Sequence, residues 1–213
     1  MHYTVFQPAR GKGVPMKIRL LRQVQGIVAA AATLSCAAFP AARYEKDAQL
    51  QAALASPPAY PEVRFAVASD LHYLDPELWS EGSAIEAYLR KDRKLLRESD
   101  EILREAMRLV EGALADLLLV PGDLTKDGER SSHLRVTERL RALEASGVKV
   151  FVTCGNHDLL NQEAVRYDGD RTIPVDSLNP EQFAEMYAEF GFGEALARDP
   201  ASLSYVAEPV PGL

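Results

Sequence analysis

Three short apolar runs constrain this chain more than anything else in it: residues 63–69 (VRFAVAS), 116–120 (DLLLV) and 148–153 (VKVFVT) each stop abruptly at a polar cluster. Runs of this length, closed by turn-forming residues, read as buried strands. Between the first two, Leu95, Leu96, Ser99, Ile102, Leu103, Ala106 and Val110 recur at helical spacing, with Arg97, Glu101, Arg104, Glu105 and Arg108 on the other faces. A second helix is predicted over residues 131–146, stopped by Gly147. Strand, helix, strand, helix, strand predicts an α/β fold with a parallel core joined by right-handed crossovers. Ligands gather at the carboxyl ends of strands in such sheets.

The polar clusters fall at those ends: Asp70-Leu71-His72, Gly122-Asp123, and Gly155-Asn156-His157-Asp158. Carboxylate, imidazole and amide oxygen together suit divalent ions such as Mn, Fe or Zn. Beyond a strand end the chain can turn so that residues i and i+2, here Asp70 and His72, bend toward one ion. Asp123 has two oxygens and is the candidate to bridge two ions about 3.5–4 Å apart. The glycines beside Asp123 and Asn156 permit the tight turns required.

Around this core, Ser83-Ala84-Ile85-Glu86 matches a capping box, and Asn179-Pro180-Glu181-Gln182 opens a helix whose apolar face is Phe183, Met186, Tyr187 and Phe190. Residues 161–177, with Arg166, Tyr167 and Arg171, read as a surface excursion, and 202–207 as a further strand. Tyr73 and Trp79 read as part of a loop packed on the body, and His133 as a solvated residue on a surface helix.

A hydrophobic fraction of 47% with no long polar tract predicts a folded body over residues 63–213. The net charge of −7 argues against a sequence-independent grip on nucleic acid, which needs a basic surface. Two cysteines, Cys36 and Cys154, build neither a disulfide framework nor a Cys-based zinc site, and Cys154 reads as a small buried side chain. From Met16, three basic residues (Lys17, Arg19, Arg22) precede a short apolar run from Gly26 to Leu34, the layout of a bacterial export signal. Residues 1–42 are therefore expected to be a leader whose true start is Met16, and 43–62 a proline-bearing linker. Export to the cell envelope or beyond follows, with lipid anchoring to a membrane at Cys36 as a variant.

The segments DLH at Asp70, GDLTKDG at residues 122–128 and GNHD at residues 155–158 resemble, in order and spacing, the first three motifs of the calcineurin-like metallophosphoesterases. The resemblance covers residues 63–160 closely and implies the N-terminal part of that family's four-layer sandwich of β-sheets flanked by helices. It implies that Asp70 and His72 bind a first divalent ion, Asp123 bridges two, and Asn156 binds the second. His157 would then be the general acid for the leaving group, with Asp158 orienting its ring. The implied reaction is hydrolysis of a small phosphate monoester or diester by a metal-bound hydroxide. The family supplies further histidines from later motifs, and no histidine follows His157 here. That shortfall implies a truncated chain, with a catalytically incomplete metal-binding fragment or interaction module as the alternative.

Overall fold

A computed structural model describes residues 48–55 and 60–213. The expected export signal, the start at Met16 and Cys36 lie outside the described residues. The stretch read as a linker contains a helix, α1 (Ala48–Ala55), in a unit that ends at Pro58. The unit from Ala59 to Leu213 carries everything that follows.

Its centre is a parallel sheet of β1 (Phe65–Val67), β2 (Leu117–Pro121) and β3 (Lys149–Thr153), in the order β1-β2-β3. This is the α/β strand-helix-strand core expected from the sequence. Two right-handed crossovers that step the same way across a sheet put both connecting helices on one face. Those helices are α3 (Ser99–Gly112) and α4 (Arg130–Ala145), reached after the short α2 (Ser83–Leu89). Leu103, Met107 and Val110 of α3 and Val136, Leu140 and Leu143 of α4 close over Leu118, Val120, Val150 and Val152 of the sheet. On the opposite face Phe65 and Val67 remain 62% and 57% exposed.

Two helix boundaries differ from expectation. Ser83 does not cap α2: the N-cap is Gly82, and the carbonyl of Gly169 takes the Ala84 N–H at 3.1 Å. A backbone oxygen from elsewhere in the fold thus satisfies a free donor at the helix start. The helical pattern that begins at Leu95 becomes a helix only from Ser99; Leu96 packs in a second apolar cluster, and Leu95 and Ile102 are exposed.

The stretch read as a surface excursion folds into an antiparallel hairpin, β4 (Val165–Asp168) and β5 (Arg171–Pro174). Tyr167 is only 3% exposed and joins Leu74, Leu78, Ile85 and Leu96 in a second apolar cluster, with Trp79 packed against it. Tyr73 is buried in the main core.

Helix α5 (Pro180–Met186) starts as expected, with the Asn179 side chain accepting from Gln182 N and Gln182 reaching back to the Asn179 backbone. A wider turn, Ala188–Phe192, continues it, with Gly191 at φ 104°. This segment lays Phe183 and Tyr187 against His133, which is therefore buried and not solvated. A last hairpin pairs β6 (Ala197–Arg198) with β7 (Tyr205–Val206), so the strand expected over 202–207 is shorter than its pattern. Cys154 is half-buried against the main core.

Candidate metal centre

The three strands end side by side, and backbone hydrogen bonds carry the pairing past the strands into the loops. Asp70 N donates to Gly122 O at 3.3 Å, His72 N to Asp123 O at 2.9 Å, and Tyr73 N to Leu124 O at 3.0 Å. At the other seam the chain approaches backbone to backbone: a Cβ on Gly155 would fall 2.3 Å from Asp123 N, and one on Gly122 2.8 Å from the Gly155 Cα. Only glycine fits both places, which is why these residues precede the ligand-bearing positions.

Asp70 (φ 58°), His72 (φ 41°) and Asp123 (φ 50°) all adopt left-handed backbone conformations. Non-glycine residues there carry strain of order 1 kcal/mol each, and such strain collects at functional sites. The turns aim His72, Asp123 and His157 at one point, with a potential ligand atom from each within 4.8 Å of the others. The His72 and His157 rings meet edge to face at 4.9 Å.

Of the residues expected to hold ions, His72 and Asp123 lie in this cluster and Asp70 and Asn156 flank it. The Asp70 side chain is 62% exposed, with Oδ1 3.8 Å from His72 Nε2, while Asn156 is exposed at the bend beyond β3. Donor atoms that share an ion at about 2.0–2.2 Å each can stand up to about 4.3 Å apart, so Asp70 and His72 are spaced for a common cation. His157, expected near substrate, lies within the cluster itself.

The residues fit divalent cations on a separate count. His72 turns Nε2 toward Asp70 Oδ1, at 3.8 Å. Burial, then the neighbouring Lys94 and His157, hold the His72 imidazole below its ordinary range. A neutral ring with an uncommitted lone pair is the form that ligates metal.

The environment of His157 corrects one expectation. Its Nδ1 lies 2.7 Å from Asp127 Oδ1, and its N–H donates to Asp123 Oδ1 at 3.0 Å. Asp158 does not orient the ring. That carboxylate is fully buried and accepts from Leu124 N (3.2 Å), Thr125 N (2.9 Å), Thr125 Oγ1 (3.0 Å) and Gly155 N (2.8 Å). Four donors occupy its two oxygens, so Asp158 clamps the loop after β2 to the loop after β3. The carboxylate on the imidazole is Asp127, from the same GDLTKDG segment as Asp123.

Behind Asp127 lies a buried polar group that the sequence reading passed over. The Lys126 ammonium is fully enclosed, pairs with Asp127 Oδ2, and lies 3.1 Å from Glu129 Oε1. It stands over the rings of Tyr88 and Tyr167 at 4.9 and 5.5 Å and donates to Glu163 O at 3.3 Å. Burial alone would lower its pKa, but Glu129 and Asp127 more than offset this and raise it, so the group stays charged. The one hint in the sequence was three charged residues, Lys126, Asp127 and Glu129, between a buried strand and a helix.

A parallel sheet whose strand tips gather imidazole and carboxylate is the setting of a candidate divalent-metal site. The sequence model of the calcineurin-like phosphoesterases matches residues 63–199, and the chain belongs to that family. A solved dimetal phosphatase from Danio rerio is 27% identical, with a TM-score of 0.35. The match covers 48% of this chain and 32% of that one, so the chain spans about a third of that relative's length. No curated protein matches in sequence.

Proposed function

We propose that this chain carries the metal site of a hydrolase acting on small phosphate monoesters or diesters. The observation that carries this reading is the convergence of His72, Asp123 and His157 from three strand tips within 4.8 Å. His72 and Asp123, with Asp70 and Asn156 beside them, would hold two divalent cations, of the Mn, Fe or Zn kind. Such ions lower the pKa of bound water and absorb charge on phosphoryl oxygens. Asp127 accepts the Nδ1–H of His157 and supports the doubly protonated ring, whose Nε2–H is the proton that the departing alkoxide takes. Asp158, by clamping both loops, keeps Asp123 and His157 in register. The acidic balance of the chain favours small esters over nucleic acid. Export is proposed on the leader pattern after Met16.

A second reading is a metal-binding module of the same fold without turnover, supported by the outward position of the Asp70 carboxylate. One experiment separates the two. Purified protein with Mn²⁺ is expected to hydrolyse p-nitrophenyl phosphate or bis-p-nitrophenyl phosphate, and Asp123→Ala to lose at least about a hundredfold in rate. Calorimetric Mn²⁺ binding without turnover would favour the second reading, and absence of both would reject the site.

A further inference from the structure

Asp127 splits its two oxygens: Oδ1 faces His157 Nδ1 at 2.7 Å, and Oδ2 pairs with Lys126. A carboxylate can rotate about its last bond, so one partner alone leaves it free to swing away from the ring. Lys126 denies it that freedom because the ammonium is itself held on every side. Glu129 lies at 3.1 Å, Glu163 O accepts at 3.3 Å, and the faces of Tyr88 and Tyr167 lie at 4.9 and 5.5 Å. Asn161 adds a weaker restraint, donating from Nδ2 to Asp127 Oδ1 at 3.4 Å and to His157 O at 3.2 Å. Tyr88 comes from α2 and Tyr167 from the β4–β5 hairpin, outside the sheet.

We propose that Lys126 is a positioning residue: it locks the Asp127 carboxylate in the orientation that holds the His157 ring with an Nδ1–H toward Asp127 and Nε2 turned to the reacting ester, where the doubly protonated ring presents its second N–H. The inference rests on the reading of His157 as proton donor, but the lock itself is a statement about ring geometry and can be judged without turnover. Removing the ammonium leaves Asp127, whose side chain is 6% exposed, with one oxygen buried and unpaired. A buried carboxylate in that state turns toward solvent, and the turn releases the imidazole.

The test uses Lys126→Met, which keeps an unbranched apolar stem, one atom shorter, and removes the charge. Should that variant not fold, Lys126→Gln takes its place, polar but one bond too short to reach Asp127. The first readout is the ring ¹⁵N spectrum of His157 in metal-free protein. The parent is expected to show protonation at Nδ1, and the variant a mixture of tautomers. The second is kcat on a phenyl ester against the matching p-nitrophenyl ester, whose good leaving group needs little proton assistance. The variant is expected to lose about tenfold more on the phenyl ester, with KM little changed. Lys126→Arg, which keeps the charge, should restore part of both signals. An unchanged His157 tautomer in the folded variant overturns the proposal. If the tautomer shifts while His157→Asn costs the same on both esters, the proton-donor reading fails and the lock stands.

Discussion

His133 shows how far one buried side chain departs from its sequence appearance. Its Nε2 donates to the Asp158 carbonyl at 3.0 Å, and its Nδ1 accepts from the Tyr187 hydroxyl at 2.9 Å, the bonding of a neutral ring. Burial pushes its pKa below the ordinary 6.5. The folded chain therefore refuses a proton that the unfolded chain accepts. The stability tied to this group is full above about pH 6.5 and falls as pH drops from there toward the depressed folded value, by up to about 1.4 kcal/mol per pH unit. Urea unfolding between pH 7.5 and 5.5 should show a steeper loss for the parent than for His133→Gln by that margin. Residues at strand tips, such as His72 and Asp123, were legible because an apolar run that stops dead at a carboxylate or imidazole has few structural uses. Asp158 misled because adjacency to a histidine in sequence resembles partnership, whereas its oxygens go to three backbone amides and the Thr125 hydroxyl. Lys126 was illegible because a loop lysine ordinarily reaches water, and its enclosing tyrosines come from distant segments on either side.

At the level of elements, legibility followed how local the cause was. The start of α5 needed only residues 179–182, and its capping box was readable as written. Asn179→Ala is expected to cost about 1 kcal/mol, read as a shift of the urea midpoint without change of slope. The start of α2 depends on a carbonyl from Gly169, supplied by the hairpin turn, and no inspection of residues 82–86 alone could have revealed that. The β4–β5 hairpin escaped notice for a similar reason: its ladder is four residues a side, and what anchors it is Tyr167 over a buried cation.

For the molecule as a whole, the alternation of strands and helices was sufficient to give a parallel sheet with the site at its carboxyl edge. The strand order β1-β2-β3 was not specified by that pattern, and it is what sets both helices on one side. It also makes β1 an edge strand of three residues, exposed at Phe65 and Val67. That strand delivers Asp70 and His72, while Asp123 comes from the well-buried central strand. A cation gripped by both would act as a clasp, fastening the loosest piece of the sheet to the firmest. Hydrogen exchange should register it: the Ala68 amide, bonded to Leu119 O at 3.0 Å, is expected to slow by up to about a hundredfold when Mn²⁺ reaches a hundred times its dissociation constant. The amides of Leu118 and Val120 should change far less. The price of ordering this edge would then fall on the ion as much as on the polypeptide.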